Sequence, residues 1–138
     1  MSKSEVAKRF KQILINSTHR QIGETKKVGL LLSGGIDSLG VAYCLQELDR
    51  EIHPYTFYLE NNESQDLKAS RKISKIFGWD LTEVMIPRET VKEDIITLAK
   101  HYNCVRKVAF ETNIHLLHTF PQVKEKVLCN GLFRVKVS

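Results

Sequence analysis

The sequence predicts an α/β fold: a three-layer, doubly wound parallel sheet in strand order 3-2-1-4, with helices on both faces. Three observations carry this. Residues 28–32 (VGLLL) form a short continuous apolar run, the pattern of a strand buried on both faces. The turn Ser33-Gly34-Gly35-Ile36-Asp37-Ser38 follows at once and leads into helix formers. Beyond it, strand-like runs alternate with helical periods, which implies right-handed crossovers between parallel strands.

The elements follow in order. Residues 4–21 place Val6, Phe10, Ile13 and Leu14 on one helical stripe, with Lys and Arg opposite, and Gly23 ends the helix. This leading helix is set apart as residues 1–24, and residues 25–138 are read as one domain. After the first strand and the glycine turn, residues 39–48 continue as a helix. Residues 52–59 (IHPYTFYL) are β-prone, with Pro54 tolerated near the start. Ser64 or Asn62 caps the next helix, with Ala69, Ile73, Ile76 and Phe77 on its apolar face and Gly78 closing it.

Residues 81–86 form the third strand and stop at Pro87. Thr90 with Glu93 fits a capping box ahead of a helix carrying Val91, Ile95, Leu98, Ala99 and Tyr102. A further helix spans residues 109–119 and ends before Pro121. Residues 126–129 (KVLC) form the fourth strand, Asn130-Gly131 turns the chain, and residues 132–138 are a fifth strand or a tail. If strand four returns beside strand one, the switch point falls where the glycine turn and Asn130-Gly131 both end strands.

Composition excludes several classes. At 138 residues, 42% apolar and 27% charged, the chain is long enough for one folded core, and its ordinary globular balance argues against disorder. The longest apolar stretch, about five residues, is far short of the ~20 needed to cross a bilayer. With no signal-peptide core at the start, a cytoplasmic protein without membrane partners is expected. Cys44, Cys104 and Cys129 lie far apart and make no metal or disulfide framework. A net charge of +5 suits an anionic ligand, nucleotide or RNA, without deciding between them.

The chemistry concentrates in SGGIDS. Two glycines allow a sharp bend that turns amides inward, Ser33 and Ser38 add hydroxyls, and the following helix presents its free N–H groups to the same point. This is a nest for phosphate oxygens. It is neither a Walker A loop, whose lysine and spacing are absent, nor a dinucleotide fingerprint. With neutral donors, Mg²⁺ is expected to share the phosphate charge, and Asp37 is the carboxylate placed to engage it.

Residues 31–38 (LLSGGIDS) resemble the PP-loop, S-G-G-x-D-S, of the N-type ATP pyrophosphatases. Residues 56–59, 66–78 and 126–131 resemble the second strand, the helix after it and the fourth strand of the asparagine synthetase synthase domain. The resemblance implies an adenine nucleotide alpha hydrolase-like fold and ATP with Mg²⁺ as cofactors. It implies binding through Leu32, Ser33, Gly34, Gly35, Ile36, Asp37 and Ser38, with Asp37 and Ser38 as the catalytic pair and Asp37 as the metal ligand. Thr56, Phe57 and Tyr58 would lie along the adenosine, and Gly131 would approach from the neighbouring strand.

The implied reaction adenylates a small substrate, releases pyrophosphate and ends in an amide or related product. The chain departs from the pattern after Gly131, where Leu132-Phe133-Arg134 replaces the family's acidic turn. Later lysine and arginine residues and a glutaminase domain are absent from residues 1–138. The expectation is a minimal or shortened PP-loop domain. A catalytically silent nucleotide-binding module and a tRNA-modifying enzyme are the alternatives, and an uncovered sheet edge suggests self-association.

Other candidates take bland readings. Arg106 and Lys107 read as a solvated basic pair, and His101, His115 and His118 as surface or packing residues. Glu60, Asn61, Asn62 and Glu63 read as a polar loop, Cys44 as core, and Cys129 as a cysteine near the crevice with no catalytic pairing pattern.

Overall fold

The computed structural model describes residues 1–131 and the backbone of residues 134–136. The sheet runs in the order β3-β2-β1-β4-β5, built from β1 (Lys27–Leu31), β2 (Glu51–Leu59), β3 (Thr82–Ile86), β4 (Val127–Cys129) and β5 (Arg134–Lys136). The first four strands are parallel, which is the predicted 3-2-1-4 order, and β5 adds antiparallel to β4. Residues 134–136 are thus strand rather than tail. Leu132, Phe133, Val137 and Ser138, also covered by the strand-or-tail expectation, lie outside the described residues.

The helices are α1 (Lys3–Ile22), α2 (Ile36–Glu47), α3 (Gln65–Phe77), α4 (Val91–His101) and α5 (Lys107–Thr119). Period-two alternation sorts the strands between two cores. Val28, Leu30 and Leu32 join Ile52, Val127 and Cys129 beneath Ala42 and Leu45 of α2, with Ile22 of α1 and Ile73 of α3 at the margins. On the other face Tyr55, Val84 and Leu128 meet Phe120 and Val123 beyond the end of α5. Helices therefore cover both faces of the sheet. All three cysteines are buried, and none forms a disulfide among the described residues. Among the described residues no helix is long and apolar enough to cross a membrane.

Three local expectations are corrected. The α1 stripe of Val6, Phe10, Ile13 and Leu14 faces solvent, and α1 docks on α2 through its other side, ending at buried Ile22. Lys11 is part of that contact, 3.5 Å from Glu47 and over the Tyr43 ring.

In α3, capped by Ser64, the packed face is Leu67, Ser70 and Ser74, while Ile76 and Phe77 are exposed. Serines are small enough to let the helix approach the sheet closely, and Ser70 satisfies its hydroxyl on a loop carbonyl.

Thr90 makes no capping box. It closes a 3₁₀ turn (Arg88–Thr90) in the helical region, so its hydroxyl donates to the Pro87 carbonyl and to Asp94 instead. The box forms at Ser2 and Glu5, at the start of α1.

A polar network ties the amino ends of the strands together. The Tyr55 hydroxyl donates to Glu125 at 2.7 Å and accepts from the Lys124 amide at 3.2 Å. His53 lies 2.6 Å from Glu125 and 2.8 Å from the Thr82 hydroxyl. Burial, reinforced by the Glu125 carboxylate, pushes the Tyr55 phenol up to about 12. Tyr55→Phe leaves the Lys124 amide without that acceptor and the half-buried Glu125 without its phenol donor. We expect a loss of about 1–3 kcal/mol in urea unfolding; a change under about 0.5 kcal/mol would show that water substitutes freely for the hydroxyl.

Candidate functional site

The loop leaves β1 at the carboxyl end of the sheet, beside the chain reversal that places β2 on one side and β4 on the other. Its first residue is held twice: the Leu32 amide donates to the Tyr55 carbonyl at 2.8 Å, and the Leu32 carbonyl accepts from Ser70 Oγ at 2.8 Å. Beyond Leu32 the polar atoms converge. Ser33 N–H donates to Ser38 Oγ at 3.4 Å, and the two serine hydroxyls stand 3.4 Å apart. Gly35 N–H donates to Ser33 Oγ at 3.3 Å, and Ser38 Oγ donates to the Gly35 carbonyl at 3.1 Å. Gly35 is the N-cap of α2 and offers no side-chain cap, so the first-turn amides of the helix remain for a ligand.

The two glycines at close contacts have different neighbours. Gly34 has φ +77, and a Cβ there would sit 2.5 Å from Ala69 Cβ on α3. The loop is therefore pressed against the helix behind it, and glycine is required by packing as well as by backbone angle. A Cβ on Gly131 would fall 2.7 Å from Asp37 Cβ and 3.4 Å from the Ser38 amide nitrogen. Gly131 thus abuts the first turn of α2 rather than lining the crevice described next. Ile36, 86% exposed, and exposed Asp37 project to solvent from the first turn of α2, whereas Ser38 is buried.

Next to the loop lies a crevice of about 420 Å³. Leu32, Ser33, Thr56, Phe57 and Tyr58 contribute to its wall, so all three strand residues expected along a nucleoside share one cavity with the start of the loop. Thr56 is buried at 2% exposure and Phe57 is half exposed. The sequence reading missed the rest of the lining, which includes Ser64 and Asp66 at the start of α3, Ile86 at the end of β3, Val91 at the start of α4, and Glu111 and Ile114 of α5. None of the residues lining this crevice is Lys or Arg. Helical periodicity revealed α5, but only the crossover back over the sheet brings it to this mouth.

Several of the remaining candidates have structural partners. Glu60 accepts from the Arg88 amide, its carbonyl accepts from the Arg88 guanidinium, and Glu63 pairs with Arg71. Lys107 reaches Glu111 at 3.5 Å along α5. His118 lies 2.7 Å from Asp94, bracing α5 against α4. His115 stacks on Phe57, centroids 3.8 Å apart and planes within 1°, with Nδ1 buried and without a hydrogen-bond partner among the described residues. Burial pushes this imidazole down to about 4.

Among the described residues no group of three or more His, Cys, Asp or Glu converges as a metal cage. Exposed Asp37 nevertheless suits Mg²⁺ brought in with phosphates, because that ion takes one or two carboxylates and keeps several waters.

A loop of this pattern and geometry, at the carboxyl end of a 3-2-1-4 sheet, defines a PP-loop domain. The family model described as asparagine synthase matches residues 9–129, and the chain belongs to that family. It is 44% identical over 64 residues to 7-cyano-7-deazaguanine synthase of Methanobrevibacter smithii, covering 46% of this chain and 28% of the relative. It is 34% identical over 90 residues to the glutamine-hydrolyzing asparagine synthetase of Rattus norvegicus, covering 62% of this chain and 16% of the relative. The chain thus matches 28% and 16% of the lengths of these two relatives. Among solved structures, NMN synthetase from Francisella tularensis superposes with a TM-score of 0.58 at 17% identity, covering 88% of this chain and 52% of that one. That likeness shows the fold.

Two outcomes follow. Gly34→Ala forces a methyl against Ala69 in a left-handed backbone region, so urea unfolding should show a loss of about 2–4 kcal/mol. A loss below about 1 kcal/mol would mean that α3 yields easily. For His115, the folded-state pKa lies below the unfolded value of 6.5. Its neutral form is the one the fold favours, so this contribution is complete above pH 6.5, declines as pH falls and levels off below about 4. Relative to His115→Phe, the wild type should lose about 1–3 kcal/mol across that window; parallel pH profiles would contradict it.

Proposed function

We propose that this chain binds ATP with Mg²⁺ and activates a small substrate by adenylation, with release of pyrophosphate. The observation that carries the proposal is the convergence of Ser33, Gly35, Ser38 and the uncapped α2 terminus beside a largely apolar crevice of about 420 Å³. That volume suits a nucleoside. Family membership and the match to asparagine synthetase support the same reading.

In this proposal the triphosphate tail lies over Ser33, Gly34, Gly35 and Ser38, and the nucleoside lies along Thr56, Phe57 and Tyr58. Asp37 would hold Mg²⁺, which supplies charge neutralisation for the β- and γ-phosphates. A substrate carboxylate or carbonyl oxygen attacks the α-phosphorus. The bond from that phosphorus to the bridging oxygen breaks, and pyrophosphate leaves with the electron pair. A nitrogen nucleophile then displaces AMP.

The loop contributes fixed donors where negative charge grows on the leaving pyrophosphate, so they need no reorganisation at the moment of reaction. Buried Ser38 anchors the turn from within. Asp37 is exposed.

The test is titration calorimetry with ATP, with and without Mg²⁺, followed by assay of pyrophosphate release with small carboxylic acids and amides. Wild type should bind more tightly with Mg²⁺. Asp37→Ala should keep its unfolding midpoint while losing about tenfold or more of the Mg²⁺-dependent gain, a typical cost of removing one charge-assisted contact. An unchanged gain in the variant would remove Asp37 from the metal role. Binding without turnover would favour a silent nucleotide module, and turnover only with RNA, falling steeply with salt, would favour a tRNA substrate.

A further inference from the structure

We propose that Ser70 of α3 is a positioning residue for the phosphate nest, fixing the Leu32–Ser33 peptide plane so that the Ser33 amide faces the ligand. The inference rests on the pyrophosphate-binding reading of the loop.

A trans peptide carries its C=O and N–H on opposite sides of one rigid plane, so fixing either group orients the other. Ser70 is fully buried, and its hydroxyl donates to the Leu32 carbonyl at 2.8 Å. That bond draws the carbonyl toward α3. The N–H of the same peptide plane must then point away from α3, and it does: it is directed at Ser38 Oγ, 3.4 Å away, inside the cluster of loop donors. The adjoining amide of Leu32 is tied independently to the Tyr55 carbonyl, so rotation about the preceding bonds is also limited. Gly34, with φ +77 and no room for a Cβ against Ala69, closes the same contact one helical position before Ser70.

Without the Ser70 hydroxyl the Leu32 carbonyl would be buried with no donor from α3. The peptide could then recover a partner by turning the carbonyl toward solvent, which would present an acceptor to the incoming phosphate where a donor is needed. A serine at this place in α3 therefore does more than permit close packing. It sets the sign of the dipole that the anion meets.

The test separates the two parts of the ligand. The full chain is titrated with inorganic pyrophosphate plus Mg²⁺ and, separately, with adenosine. Ser70→Ala should weaken pyrophosphate at least tenfold while leaving adenosine affinity within twofold. Ser70→Cys, with a weak donor of nearly the same size, should fall between. Wild-type pyrophosphate affinity in folded Ser70→Ala, or equal loss of both ligands, would overturn the assignment.

Should Ser70→Ala not fold, amide NMR of the unaltered chain decides. Pyrophosphate should shift the Ser33 amide and slow its hydrogen exchange. Movement of the Gly35 and Ile36 amides with Ser33 unmoved would overturn the role of Ser70, whereas no movement in any of them would instead overturn the pyrophosphate-binding reading itself.

Discussion

The close approach of α3 to the segment leaving β1 governs the shape of the whole carboxyl end of the sheet. Gly34 stands where any side chain would enter Ala69, and the Leu32 carbonyl is met by the buried Ser70 hydroxyl. Interiors packed to crystal-like density do not absorb such contacts by small drifts. The loop is consequently held from behind by a helix that begins more than thirty positions later in the chain. Its donors can then face forward without a ligand to organise them. A nest that is already formed loses little conformational entropy when an anion arrives, which is the physical advantage of placing it on a rigid strand-to-helix turn.

The donors are neutral, and that choice has electrostatic consequences. The residues lining the crevice include no Lys or Arg, and its charged members are the carboxylates Asp66 and Glu111. Nearby acids are engaged by neighbouring groups: Glu63 and the β3 residue Glu83 pair with the Arg71 guanidinium, and the Glu60 carboxylate accepts from the Arg88 backbone amide. In the proposed reading, attraction for a polyphosphate comes chiefly from amide and hydroxyl dipoles, from the α2 terminus and from a cation carried by the ligand. Dipoles act over a short range and demand position more than charge. A site of this kind depends on backbone geometry to a degree that a lysine-centred site would not.

The sequence makes the strand order and the loop legible because both are local. The continuous apolar run at residues 28–32 is the pattern of a strand covered on both faces, and its position next to two glycines points to the switch point. What it hides is lateral. The packed face of α3 is polar in composition, Ser70 and Ser74 among it, so a hydrophobic count chooses Ile76 and Phe77 instead, and these are exposed. The α1 stripe shows the same failure in reverse, since apolar spacing reveals a helix but not which side meets the core. The second wall of the crevice comes from α5, whose helical pattern carries no sign of where the crossover will set it down. His115 is a further case: as a histidine in a helix it has no motif, and its role against Phe57 depends on a contact between residues 58 positions apart.

That aromatic contact bears on how the crevice works. Phe57 stands on a strand end with its ring half exposed, in a place where an unsupported side chain would sample several rotamers. The parallel His115 ring at 3.8 Å fixes it, and burial keeps His115 neutral at ordinary pH, so the support adds no positive charge beside a site built from neutral donors. A protonated imidazole there would compete with the loop for phosphate and would also have to be desolvated. The wall therefore stays apolar and fixed while Ile36 and Asp37, on the first turn of α2, stay open to water. A ligand with a flat apolar end and a charged tail has one orientation that suits both environments, tail at the loop and ring at the wall, and the opposite orientation would bury the charge against Leu32, Ile86 and Ile114.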